Sequence, residues 1–243
     1  MKRELILREG YVLRVSPYKE ADAMVTCFTK DGLISFLARG IRKLTSKNAS
    51  SCQILSYSRF SLSATPDQKS LTLQEGMLLK STPEKEDLLW MACVSFLAEI
   101  NARLLTEEDA PSIFPYFAKA MEGIENGYPI YSSCLLYFAK LLSLLGYGLE
   151  VDNCVLCSEK KDIVGISYEN GGFVCAHCAD ETTYRLGARM LKVIRYAFRY
   201  PLEDFGRVAF EKEESLFLIQ QFARYAEDLT GVHLKSVSLL EKC

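Results

Sequence analysis

The chain has 243 residues, with 49% hydrophobic residues, 25% charged residues and a formal charge of −2. That balance can bury a real core and excludes wholesale disorder, and no apolar run approaches the ~18–20 residues of a membrane helix. Met1-Lys2-Arg3-Glu4 leads into no long apolar segment, so the chain reads as soluble and cytoplasmic, with one or two domains.

Residues 1–80 read as strands. Tyr11 to Ser16 is a β-rich run that ends at Pro17. Ala23 to Thr29 and Leu33 to Arg39 flank Lys30-Asp31-Gly32, and Asp-Gly between two apolar runs signals a hairpin. Gln53 to Ala64 alternates, Pro66-Asp67 marks a turn, and Ser70 to Lys80 follows as a fifth strand. Five short strands without a helix fit a small barrel better than a sandwich. Gly40 to Ser51 is a polar, basic loop between the third and fourth strands, with room for one short helical turn.

After Ser81 the period becomes helical. Thr82 is the expected cap, with Pro83 at the first position and Glu84 to Asp87 as an acidic first turn, and the helix runs to about Leu105. Pro111 to Glu125 is a second helix. Tyr131 to Leu145 is a third, apolar on nearly every face, which predicts the centre of a bundle. Leu186 to Tyr200 and Lys212 to Thr230 are later helices. In the last, Leu216, Ile219, Phe222, Ala223, Ala226 and Leu229 form a stripe that reads as bundle core rather than a partner groove. The expected architecture is α+β: a five-stranded barrel over 1–80, then a helical domain over 81–243.

Nine cysteines and no signal argue against a secreted disulfide scaffold. Cys27, Cys52, Cys93, Cys134 and Cys243 are scattered, and most of them read as small buried hydrophobes. Cys154, Cys157, Cys175 and Cys178 instead make C-x2-C-x17-C-x2-C, a spacing for tetrahedral zinc. Two residues between ligands let one knuckle present both sulfurs to one metal. The insert holds Ile163 to Tyr168, a Gly-rich turn, then Phe173-Val174: a hairpin that brings the knuckles together. The module spans about 150–182. Four thiolates close the coordination shell, so one structural Zn2+ is expected rather than a catalytic one. His177 inside the second knuckle is an alternative ligand. A redox role for one CxxC lacks the usual βαβ context.

No nucleophile, base and orienting group assemble, and no phosphate-loop, hydrolase or metalloprotease motif is present. The chain reads as a binder, not an enzyme. The charge is asymmetric: residues 1–80 carry 13 Lys/Arg and 7 Asp/Glu, net +6, whereas 81–243 carry 16 and 24, net −8. A polyanion would sit on the basic front. Arg39, Arg42, Lys43 and Lys47 cluster around Gly40, with Thr45 and Ser46 as further phosphate donors and Arg14 and Lys19 upstream. Tyr11, Tyr18, Phe28, Phe36, Tyr57 and Phe60 are either stacking platforms for a single strand or barrel core; Phe28 and Phe36 read as core. Arg185, Arg189, Lys192, Arg195 and Arg199 recur on one predicted helix face. They make either a contact for an acidic peptide or DNA, or a solvated, intrahelically paired face.

Several stretches carry a resemblance. They are Val12-Leu13, Pro17-Tyr18-Lys19-Glu20-Ala21-Asp22, Phe28 to Leu33, Ala38-Arg39-Gly40-Ile41-Arg42-Lys43, Leu144-Leu145-Gly146-Tyr147 through Leu149 and Asp152 to the first CxxC, and Gly171-Gly172-Phe173-Val174 into the second. In this order they resemble the bacterial RecO family of DNA repair proteins, from about residue 5 to 230. The resemblance implies an N-terminal OB-fold and a helical domain that often carries zinc, though some members lack the cysteines. It implies binding of single- and double-stranded DNA and annealing of complementary strands. It also implies contact with the acidic C-terminal tail of the single-stranded DNA-binding protein SSB. Action with RecR, and in some organisms RecF, to load RecA on SSB-coated DNA is implied too, in the cytoplasm and at the nucleoid during repair. Arg39, Arg42 and Lys43 inherit the DNA-contact role. The alternative is a protein-interaction adaptor whose barrel and helices bind proteins rather than DNA.

Overall fold

The computed structural model describes residues 4–67, 69–81 and 87–243. The chain divides into two compact units, residues 1–115 and 116–242.

In the first unit β1 (Glu4–Tyr18), β2 (Asp22–Thr29), β3 (Gly32–Ala38), β4 (Tyr57–Ala64) and β5 (Leu71–Lys80) close a barrel in the order β1-β2-β3-β5-β4. This is the OB-fold arrangement. Only the β3–β5 seam is parallel, through Leu37 and Thr72. The expected hairpin forms with Lys30 and Asp31 as its loop and Thr29 opposite Gly32. Thr29 Oγ1 donates to the Gly32 carbonyl at 2.8 Å.

Two strands differ from expectation. β1 is far longer than Tyr11–Ser16, because one strand serves two neighbours. Its first half pairs with β4 and its second with β2, and Gly10 faces Ser58 and Thr29 at the changeover. A side chain there would run into the Phe28 carbonyl. β4 begins at Tyr57, not Gln53. Gln53 to Ser56 form a turn instead, in which Leu55 takes a left-handed φ of 60° and is buried.

Inward-facing Val12, Val25, Cys27, Phe36, Phe60 and Leu62 fill the barrel. Phe36 and Phe60 lie 4.9 Å apart, centroid to centroid. Burial pushes the Cys27 thiol well up and that of Cys52 up to about 11, so both stay protonated at neutral pH. Cys93 and Cys134 are also buried, as expected of apolar cysteines.

The helix α1 (Leu88–Leu104) is capped by Asp87, whose carboxylate accepts from the Leu89 N–H at 3.0 Å. The expected cap at Thr82 and Pro83 lies outside the described residues. α2 (Ala110–Glu125) contains Pro115 within it, which removes one backbone donor from the helix. Its Phe114 packs edge-on to Phe28 at 5.2 Å.

In the second unit α3 (Ile130–Leu144) is the central helix, as its all-round apolar pattern predicts. From Ile130 to Leu142 only Tyr131 and Lys140 escape full burial. Lys140 sits over the rings of Tyr116 and Tyr200 at 5.3 and 4.9 Å, and burial holds its ammonium below the usual lysine range. β6 (Ile163–Ser167) lies between β7 (Gly172–Cys175) and β8 (Tyr184–Arg185) in a small antiparallel sheet. Then come α4 (Ala188–Arg199), α5 (Lys212–Thr230) and α6 (Val237–Leu240). α5 has the expected bounds, ended by Gly231 in the left-handed conformation. Its stripe is core as expected, except that Leu229 is exposed.

Candidate functional site

The cysteine quartet is assembled by two tight turns. Ser158 N–H donates to the Cys154 carbonyl at 2.8 Å, and Cys178 N–H donates to the Cys175 carbonyl at 3.1 Å. Ser158 takes a left-handed φ of 63°, which turns the chain away from the first knuckle. The β6–β7 hairpin then returns the second knuckle to the first, and Val155 N–H donates to the Phe173 carbonyl at 2.8 Å. Gly172 bridges to Glu150, and a side chain at Gly172 would collide with the Glu150 backbone.

The four sulfurs all lie within 4.8 Å of one another, so the group can hold a metal ion. A tetrahedral site with metal–sulfur bonds of ~2.3 Å places sulfurs about 3.8 Å apart. The Cys157 and Cys175 sulfurs are 3.7 Å apart. His177 is exposed and outside the group. Burial opposes ionisation of Cys154, but backbone hydrogen bonds from Cys175, Leu156 and Cys157 outweigh it and bring its thiol down to about 6. The hydrogen bond with Cys157, chiefly, pushes the Cys178 thiol up to about 12. Thiols this close cannot all ionise unless a cation sits among them, and a bound divalent metal supplies that charge.

The basic loop is pinned at both ends. Ile41 is buried in the barrel, and Gly40, with φ 63°, donates its N–H to Asp22 Oδ1 at 2.8 Å. At the far end Asn48 Oδ1 accepts from Gly76 N–H at 3.0 Å. Arg39, Arg42, Lys43 and Lys47 are all exposed, and no ion pair holds any of them among the described residues. Arg42 also reaches the β1–β2 turn, its backbone donating to Ala21 and its guanidinium to the Glu20 carbonyl at 3.2 Å. Lys19 is in that turn, so the fold brings it beside the basic loop. Arg14 stands apart on β1, with its Nε donating to Ser16 Oγ at 2.8 Å. Of the aromatic candidates, Tyr11, Phe28, Phe36 and Phe60 are core, Tyr57 is half-buried, and Tyr18 is exposed beside Lys19.

The second basic group is arranged differently from expectation. Arg185 lies on β8, ahead of the helix, because the sheet of the cysteine module takes it. The pairing of the others is between elements, not within the helix. Arg189 meets Glu214 at 2.6 Å, while Arg195 and Arg199 each meet Asp152 at 2.9 Å. Arg199 also meets Glu150 at 3.6 Å, and neither Asp152 nor Glu150 is foretold as a partner by the sequence. They lie over 40 residues away in sequence, so no local spacing reveals them. Lys192, Arg195, Tyr196, Arg199, Tyr200 and Pro201 line a shallow groove of about 340 Å³.

A further cleft on the barrel, about 480 Å³, was not expected from the sequence. Arg59 bonds Glu9 at 2.7 Å, and Tyr57 donates to the same carboxylate at 3.2 Å. The Arg59 bond, chiefly, holds the Glu9 carboxyl below its usual range. A depressed folded pKa contributes stability above the unfolded pKa and loses it as pH falls through the folded value. Glu9→Gln is therefore expected to lower the melting temperature slightly at neutral pH. That difference should vanish on acidification below the ordinary carboxylate range, as melting curves at several pH values would read.

The family model described as "Recombination protein O N terminal" matches residues 1–82, and "Recombination protein O C terminal" matches residues 85–237. The chain belongs to the recombination protein O (RecO) family. Curated relatives agree. The DNA repair protein RecO of Bacillus cytotoxicus is 29% identical over 239 residues, covering 96% of each chain. That of Bacillus cereus strain B4264 is 28% identical over the same coverage. Membership of the RecO family places the chain in DNA repair and recombination. No helix among the described residues is long and apolar enough to cross a membrane.

Proposed function

We propose that this RecO-family chain is a non-catalytic recombination mediator of the bacterial cytoplasm, acting at the nucleoid during repair. Its 1–80 domain binds single- and double-stranded DNA, and the protein anneals complementary strands. Together with RecR, and RecF where present, it helps load RecA on SSB-coated DNA. The observation that carries this reading is the pinned loop on an OB-fold barrel, with four exposed cations that no carboxylate holds among the described residues. Arg39, Arg42, Lys43 and Lys47 contact phosphates, Lys19 and Arg14 extend the path, and exposed Tyr18 offers a stacking face.

The 81–243 domain takes the SSB tail. Exposed cations beside the Tyr196–Pro201 groove suit an acidic peptide. Lys192 is the freest of them, since carboxylates already hold Arg189, Arg195 and Arg199; Arg185 lies further off, on β8. One structural Zn2+ is held by Cys154, Cys157, Cys175 and Cys178. When bound, it crosslinks the two knuckles and leaves no open position for chemistry.

Three or four phosphate contacts on a single strand predict a log–log salt slope of about −2 to −3. Arg42→Ala with Lys43→Ala should flatten it by about 1.4 and weaken binding to all sequences alike. Titrations at several salt concentrations check this, and an unchanged slope moves the DNA site elsewhere. The activity itself is tested by energy-transfer annealing of two complementary oligonucleotides, with and without SSB. Acceleration that persists on coated strands supports the mediator. No acceleration by folded, zinc-loaded protein favours a protein-interaction adaptor, the second reading, which the acidic 81–243 half keeps in play.

A further inference from the structure

Leu44 stands out within the basic loop. Its relative exposure is 106%, so it touches almost nothing of the protein. A single exposed leucine is ordinary on a protein surface, but its placement here is not. Ser46 N–H donates to the Lys43 carbonyl at 3.0 Å, closing a turn that puts Leu44 at its first corner. Lys43 N–H donates to the Gly40 carbonyl at 3.1 Å in the turn before. The side chain is thus held outward on a pinned segment whose neighbours in sequence, Arg42, Lys43 and Lys47, are exposed as well. An exposed apolar tip on a loop that carries exposed cations matches a polyanion that also carries apolar faces. Phosphates meet the cations, and an unstacked nucleobase meets the leucine.

We infer that Leu44 is an apolar wedge that packs against nucleobases and helps hold them unstacked while the flanking cations grip the backbone. The inference rests on the DNA-contact reading of this loop. It assigns base contact to a residue that electrostatics alone would ignore. Aliphatic wedges of this kind unstack base steps in other nucleic-acid complexes. Contact through leucine carries no hydrogen-bond code, so it suits a protein that handles strands of any sequence.

The test uses the full chain. Leu44→Trp places an indole at the tip, and the single native Trp90 is buried and provides a constant background. The probe is a mixed-sequence single strand of about 16 nucleotides, the upper site size of one OB-fold. Emission from the introduced indole should be quenched as the strand binds. Leu44→Ala should weaken binding about threefold to tenfold, the worth of a partly buried leucine, with no change in salt slope. Melting curves should be unchanged in both variants, since the side chain packs on nothing. Binding with a normal slope, no quenching and no loss in Leu44→Ala overturns the wedge and leaves the cation reading intact. A slope that ignores Arg42→Ala with Lys43→Ala overturns the loop as the DNA site, and the wedge with it.

Discussion

Chelation of the zinc-loaded protein is expected to release one zinc per chain and unfold the module over about 150–182. The module buries only a small core. One buried cluster is Cys154, Val174 and Cys175, with Val155, Ile163, Cys178 and Ala179 partly covering it, and Val151, Ile166 and Phe173 are its other large buried side chains. Its strands are five, four and two residues long. So little apolar burial cannot offset the entropy of ordering some thirty residues, and small domains of this kind depend on a metal or crosslink. A structural zinc supplies on the order of 10 kcal/mol of apparent free energy at neutral pH. Loss should therefore appear as a lower melting temperature by calorimetry and lost sheet signal by circular dichroism. Cys157→Ser sharpens the test. Its side chain is exposed, so the change empties no core and reports the metal alone. Release of one zinc per chain with melting and spectrum unaltered would make the cluster dispensable for folding.

Phe60→Ala is expected to cost the barrel about 3–5 kcal/mol, the range for removing a buried phenylalanine. Phe60 is fully buried, and its ring packs on Phe36 and over Gly76 of β5. The void cannot collapse easily, because hydrogen-bonded strands surround it on every side. The neighbouring residue on the same strand provides the contrast. Arg59 points outward to Glu9, and an exposed ion pair of this kind is worth about 0–1 kcal/mol, so Arg59→Ala should be nearly silent. Because the chain has two compact units, a single melting curve mixes them. Hydrogen exchange of the β4 amides reads the barrel directly. Protection there should fall steeply in Phe60→Ala, and DNA binding should weaken as the barrel melts. Unchanged exchange would mean that the barrel repacks around the loss.

Much of this was legible locally. Asp31-Gly32 between apolar runs foretells the hairpin, since turn chemistry acts over a few residues. The all-round apolar pattern of α3 marks it as central because no face is left for water. Cys154 to Cys178 reads as one cluster because the spacing itself limits the geometry. The RecO resemblance, from Val12 to Cys178, agrees with the family models that span the chain. Arg39, Arg42, Lys43 and Lys47 were legible as a group, since they fall within nine residues, but the lack of any carboxylate holding them among the described residues was not.

What local pattern determined, then, is the strand-then-helix order, the hairpin, the central helix and the sulfur quartet. Only the tertiary structure decided where β1 changes partners at Gly10, how β3 meets β5, and that Lys19 joins the Arg42 loop. It alone decided that Asp152 holds Arg195 and Arg199, and that Leu44 stands exposed on the basic loop. The physical reason is range. Turn propensities, periodicity and ligand spacing act between residues near in sequence, whereas strand pairing, ion pairs and exposure are set by residues tens of positions away, which become neighbours only once the chain has closed on itself.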